Sequence, residues 1–197
     1  MIVLDSGAIA RTWGFLGAIA AVEAMVILSQ WHILVRVLSA RPGTTAGWIL
    51  AVIVAIVAIL YTAYALDLWQ YLTIISRFRI LGPIVAIPSA LLEEAVFRLS
   101  LMNWLAHERQ SLVVQVLASA IAFGLVHAIW ALRGGLRSLL TATAATALLG
   151  ALFAIVFLVS GRSLLPCVFA HFLFNVILEP WLAYAYALRQ RPASTGR

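Results

Sequence analysis

Apolar residues run almost unbroken through six stretches of this 197-residue chain, and short polar connections separate them. From Pro42 to Leu66, from Gln110 to Leu132 and from Ser138 to Gly161 there is no Asp, Glu or Arg. A helix crosses the hydrocarbon core of a bilayer in about 20 apolar residues. The pattern predicts membrane helices over Thr12–Val37, Gly47–Ile75, Ile80–Leu105, Ser111–Leu132, Ser138–Ser160 and Ser163–Leu188. The connections, among them "SARPGTTAG", "SRFR", "AHERQ" and "RGGLR", carry turn residues and arginines. The expected fold is therefore all-α: a polytopic membrane helix bundle of about six spans. It forms one integral membrane domain over residues 1–197, with two N-terminal helices in 12–75, a four-helix core in 80–188 and a polar tail at 189–197.

Composition supports that reading. Hydrophobic residues make up 64% and charged residues 10%, with mean hydropathy +1.07, whereas a soluble domain is about one quarter charged. The net charge of +6 does not indicate nucleic acid. All thirteen basic residues are Arg, and they sit between apolar segments rather than on one face. With six spans, Arg11, Arg77, Arg79, Arg133, Arg137, Arg189, Arg191 and Arg197 share one side, and Arg36, Arg41, Arg109 and Arg162 the other. The excess places both termini in the cytoplasm. The Arg-only basic set and the short length read as a bacterial inner-membrane protein. The first basic residue, Arg11, follows a short apolar stretch instead of leading one, unlike a cleavable signal. The lone Cys167 reads as a packing residue. The sequence specifies no oligomeric state.

The polar residues inside the helices need an account, because a charge at mid-bilayer costs at least ~2.5 kcal/mol. In "SALLEEAVFRLSLMNW", Glu94 and Arg98 are four apart and share a helix face. They can compensate each other. Glu93 is turned about 100° away and must find another partner. The fourth helix carries Phe123 and His127 four apart, and the sixth carries His171 and Asn175 four apart. Three apolar helices thus each present chemistry-bearing groups, and a dry bundle gathering them could form a site. A Glu and a His can share and activate a water, while a second His and an amide can donate to a developing oxyanion. That set suffices for amide hydrolysis without a covalent intermediate. At about 1.5 Å rise per residue, however, the expected boundaries put Glu93 near mid-membrane, His127 toward the cytoplasmic end and His171 toward the outer half.

"EEAVFR", "FGLVH" and "HFLFN", in that order, resemble the motifs of the CAAX protease and bacteriocin-processing (CPBP) intramembrane endopeptidases. The resemblance covers roughly Leu81 to Pro180. It implies Glu93 as the catalytic glutamate, His127 as its partner in activating water, and His171 and Asn175 as the oxyanion-stabilising pair. It further implies Glu94 and Arg98 as a supporting pair and Phe123 as a wall of the site. The implied substrate is a membrane-tethered or lipidated polypeptide cut near a terminus, as in C-terminal processing or protein sorting. The implied mechanism is glutamate-type, with no metal cofactor favoured; if zinc were used, Glu93, His127 and His171 would be the ligands. The chain lacks the His-Glu-x-x-His spacing of common zinc proteases.

Other residues read more plainly. Glu179, one turn after Asn175, is a candidate for support of the site or for an interfacial pair, and Glu23 for a helix-to-helix pair. Asp67, with Trp69 and Tyr71, reads as an interfacial belt. Trp13, Trp31, Trp48 and Trp104 read as anchors, and the small residues of the fifth helix as a close-packing surface. Buried Glu and His also serve proton-coupled transporters, and a non-proteolytic scaffold or immunity protein could keep the same bundle.

Overall fold

The computed structural model describes residues 4–39, 41–74 and 77–189. Among these residues the regular structure is helical, with no strand. The polar tail at 190–197, with Arg191 and Arg197, lies outside them.

The first helix, α1 (Ser6–Ser29), begins earlier than expected because Asp5 caps it, its carboxylate accepting the Ala8 N–H at 2.6 Å. It stops at Gln30, whose φ of −114° and ψ of 39° leave helical geometry, and α2 (Trp31–Leu38) follows as a separate short helix. The Thr12–Val37 span is thus two elements. Thr44 caps α3 (Thr45–Ala65) by accepting the Gly47 N–H at 3.0 Å. Ten residues before its expected end, α3 closes on Asp67, which takes a left-handed φ of 52° while the Leu68 N–H returns to the Ala63 carbonyl at 2.8 Å. Asp67 is therefore a turn residue. The short α4 (Trp69–Leu72) follows, with Tyr71 stacked on Trp181 at 5.4 Å.

The third apolar helix is continuous over Phe78–His107 but not uniform. A 3₁₀ turn (Arg77–Ile80) leads into α5 (Leu81–Glu94), a π-helical segment (Ala95–Met102) and α6 (Asn103–His107). Pro83 lies in the first turn of α5, where its missing N–H is harmless. The π segment starts directly after Glu94, and the Ser119 hydroxyl donates to the Phe97 carbonyl within it at 3.2 Å. Ser111 caps α7 (Leu112–His127), which ends five residues before its expected limit and passes into a 3₁₀ stretch (Ala128–Gly134). Then come α8 (Gly135–Val159) and α9 (Leu165–Arg189), with Pro166 in the first turn of α9.

Among the described residues five helices are long and apolar enough to cross a membrane, and Leu112–His127 is a shorter apolar sixth. Their outer faces stay apolar, as with exposed Ile53, Ile56, Val57 and Leu60 on α3. A helix apolar all round fits a lipid surrounding. Inside, α5 lies against α9, with α1 beside both. Leu16, Ala20, Leu81, Val85, Leu178 and Trp181 fill one core there. A second core joins α3, the π segment, α8 and α9 through Ala51, Met102, Phe153, Phe157 and Ala170. The α5–α9 approach is close: a Cβ on Gly82 would meet the Val176 carbonyl oxygen at 2.6 Å. The small residues of α8 do pack closely, since a Cβ on Gly124 of α7 would sit 2.7 Å from the Thr143 carbonyl oxygen.

These boundaries remove the depth mismatch. Glu93 lies fourteen residues before the end of α6 at His107, and His127 fifteen after the start of α7 at Leu112. Antiparallel helices joined by the short 108–111 turn therefore bring both to one level, about 21 Å from that turn. Helix α9 starts recessed. Arg162, in the turn before it, donates to Asn103 Oδ1 at 2.9 Å and to the Gln115 amide oxygen. Both partners lie about one turn inside α6 and α7, so His171 is lowered toward the same level.

Candidate active site

Glu93 and Glu94 end α5 and point different ways, as the helix period requires. Glu94 is fully buried, with Oε2 at 3.1 Å from Arg98 Nε and Oε1 at 2.8 Å from His171 Nδ1. The Glu94–Arg98 contact lacks hydrogen-bond alignment although its separation is short, so charge attraction holds it. Arg98, also fully buried, donates from Nη2 to the Gly150 carbonyl at 2.9 Å. Its guanidinium lies 4.9 Å from the centre of the Phe123 ring and 5.6 Å from that of Phe153. An aromatic cage of this kind suits a desolvated guanidinium.

The other carboxylate faces two imidazoles. Glu93 Oε2 lies 3.4 Å from His127 Nε2 and 3.9 Å from His171 Nε2. Neither separation is a hydrogen bond. His127 Nδ1 lies 2.8 Å from the Phe123 carbonyl, which can only accept, so Nδ1 carries a proton and Nε2 is turned to Glu93. The same reasoning applies to His171, whose Nδ1–H is taken by Glu94. Phe123 stacks on His127 at 4.4 Å and meets His171 edge-on at 5.9 Å, while Phe153 stacks on the other side of His171 at 5.2 Å. The rings fix both imidazole planes. Asn175, one turn along α9, is 7% exposed.

Exposure divides the cluster. The side chains of Glu94, Arg98 and His171 are at 0%, 0% and 4%, but those of His127 and Glu93 are at 21% and 20%. The Glu93–His127 half reaches the molecular surface, and the rest is enclosed.

The structure brings together Glu93, Glu94, Arg98, Phe123, His127 and His171, with Asn175 on the next turn. The pairing of His171 with Glu94 was not visible in the sequence, because it depends on how α9 is rotated against α5. Two acidic residues lie closer than expected. Glu23 of α1 accepts the Ser89 hydroxyl at 2.6 Å, and Glu23 and Glu179 both feel the charges of Glu93 and His171. The available signal was each residue's place in an apolar helix. Beside the site, an apolar groove of about 310 Å³ opens between α3, α5 and α9, lined by Trp48, Ile87, Leu91, Val168 and Phe172 among others. Trp48 thus forms a wall of this groove, packing on Phe169 at 5.4 Å.

Among the described residues no group of three His, Cys, Asp or Glu side chains is arranged to hold a metal ion. Glu93, His127 and His171 come near one another without forming such a set.

A sequence model of the type II CAAX prenyl endopeptidase Rce1-like family matches residues 76–177, which run from before α5 into α9. No curated protein and no solved structure matches the chain.

Proposed function

Because the chain belongs to the type II CAAX prenyl endopeptidase Rce1-like family, we propose that it hydrolyses a peptide bond of a membrane-anchored polypeptide with water activated by Glu93 and His127. The observation that carries this reading is the convergence of both imidazole Nε2 atoms on one oxygen of Glu93, at 3.4 and 3.9 Å, where Glu93 and His127 reach the molecular surface. A water about 2.8 Å from both Glu93 Oε2 and His127 Nε2 makes two hydrogen bonds without moving either group. Its oxygen attacks the peptide carbonyl carbon as its proton passes to Glu93. The oxyanion takes hydrogen bonds from His171 Nε2–H and Asn175. His171 is then imidazolium, and Glu94, already on Nδ1, is its counter-charge. Collapse breaks the C–N bond, and the proton held by Glu93 goes to the departing amine. The products are a carboxylic acid and an amine, and no covalent enzyme intermediate forms.

The mechanism uses no metal. The apolar groove beside α5 and α9 suits the lipid or membrane-embedded part of the substrate, so that the bond is cut near a terminus, as in C-terminal processing or protein sorting. The arginine distribution supports a bacterial inner-membrane location with both termini cytoplasmic.

Host membranes carrying the native protein or E93Q at equal abundance, compared by mass spectrometry of protein termini, test the reading. The expected result is a new terminus only with the native protein, still produced in the presence of a zinc chelator. Unchanged termini with candidate substrates expressed would refute it and favour transport or scaffolding. Loss to the chelator would refute the metal-free mechanism.

A further inference from the structure

Two carboxylates beside the catalytic group have no role in that mechanism. Ser89, which holds Glu23, is one turn before Glu93 on α5, and Glu179 is two turns after His171 on α9. The two helices are antiparallel: Glu94 meets His171, while Gly82, twelve residues earlier, lies against Val176. Both displacements therefore run toward the same end of the bundle, by about 6 Å and about 12 Å. Glu93, Glu23 and Glu179 form an acidic row leading away from the cleavage point.

This row is unmatched. Arg98 is committed to Glu94 and Gly150, and among the described residues no arginine pairs with Glu23 or Glu179. Glu179 Oε2 is buried without a hydrogen-bond donor. A buried acceptor left open in this way is rare and marks a place for a missing donor. The Ser89 hydroxyl engages one oxygen of Glu23 and leaves the other. A single cationic donor that reached both residues would satisfy them together. The described residues offer no metal-holding arrangement, whereas a peptide lying on Glu93 passes along the row.

We propose that Glu23 and Glu179 form an acidic subsite for an Arg or Lys side chain of the peptide being cut, about two to four residues from the cleaved bond at ~3.3 Å per extended residue. This deepens the protease reading and rests on it. Glu23 and Glu179 both lie outside the matched residues 76–177, so the preference belongs to this chain rather than to the matched segment.

Binding separates the subsite from the chemistry. Full-length E93Q in lipid vesicles is titrated with a pool of lipid-anchored fluorescent peptides carrying Arg at one scanned position, and with the same pool carrying Gln there. The expected result is tighter binding of the Arg pool by about tenfold or more at one position, lost in both E23Q/E93Q and E93Q/E179Q. Equal binding of the two pools to E93Q overturns the proposal, as does an Arg preference that survives both second substitutions. Cleavage of the same pools by the native protein is followed in parallel. Arg-selective binding without cleavage keeps the subsite and rejects the protease reading; cleavage without Arg preference does the reverse.

Discussion

Glu94 and Arg98 are the most deeply placed charges of the site, so their mutual compensation can be tested by a double-mutant cycle. E94Q removes the charge that faces Arg98 Nε at 3.1 Å and His171 Nδ1 at 2.8 Å. Arg98 is left as an uncompensated buried charge, and breaking a buried pair costs about 3–5 kcal/mol. R98M leaves the Glu94 carboxylate in an apolar cage with only His171, a break of a buried pair worth about 3–5 kcal/mol. E94Q/R98M removes both charges. The introduced amide still accepts from His171, and the main remaining defect is the Gly150 carbonyl, now without its donor, at about 1–3 kcal/mol. The double variant should therefore be more stable than either single one, with a coupling of about 3 kcal/mol or more. Steric-trap unfolding in bicelles measures all four proteins. If the double variant loses the sum of the single losses within about 0.5 kcal/mol, the two charges do not compensate each other and the account of their burial is wrong.

The α5–α9 seam sets the Glu94–His171 distance, so G82V should abolish cleavage and destabilise by about 1–3 kcal/mol, because its Cβ would meet the Val176 backbone oxygen at 2.6 Å. G17A on α1, where a Cβ meets nothing within 4 Å, should instead be neutral or gain about 0.5–1 kcal/mol; equal behaviour of the two in unfolding and activity assays would contradict the seam argument. F123A should lose about 3–5 kcal/mol together with the ring under His127 and Arg98, whereas F123L should retain most of the packing and lose about 0.5–2 kcal/mol of cation–π attraction. Equal losses from the two, measured by the same unfolding assay, would mean that the ring face contributes only volume.

The sequence made some of this site legible and hid the rest for definable reasons. Local period alone was enough to pair Glu94 with Arg98 and to turn Glu93 away from them, because residues four apart share a helix face whatever the bundle does. The three polar stripes were visible because charge and imidazole are costly in an apolar helix. Depth was not, because a few residues of error at a helix end shift a side chain by several ångströms. The capped start of α7, the recess of α9 under Arg162 and the left-handed closure at Asp67 all come from turn geometry. Gln30 ends α1 within an otherwise apolar stretch, where composition gives little warning. The links of His171 to Glu94 and of Glu23 to Ser89 need the rotation of one helix against another, which no single-helix pattern contains.

On the proposed mechanism, the burial pattern lets one site hold both a fixed charge pair and the attacking water. In the dry half, Arg98, Glu94 and His171 are held by aromatic faces and by the Gly150 carbonyl, so the proposed oxyanion would meet a geometry already fixed. In the open half, Glu93 and His127 keep about a fifth of their surface and no direct hydrogen bond to each other. On the proposed mechanism a tighter Glu93–His127 contact would leave the water nothing to bind, and a wider one would separate the two groups that share it. The π segment starts directly after Glu94 and carries Arg98 of the dry half. A π-helical turn holds more residues than an α turn, so it re-aims the side chains beyond Glu94 without ending the span. Arg98 is brought inward against Glu94 while α6 continues toward Asn103 and its bond with Arg162. One continuous helix thus carries Glu93 toward its two imidazoles and, on another face, the buried Glu94–Arg98 pair.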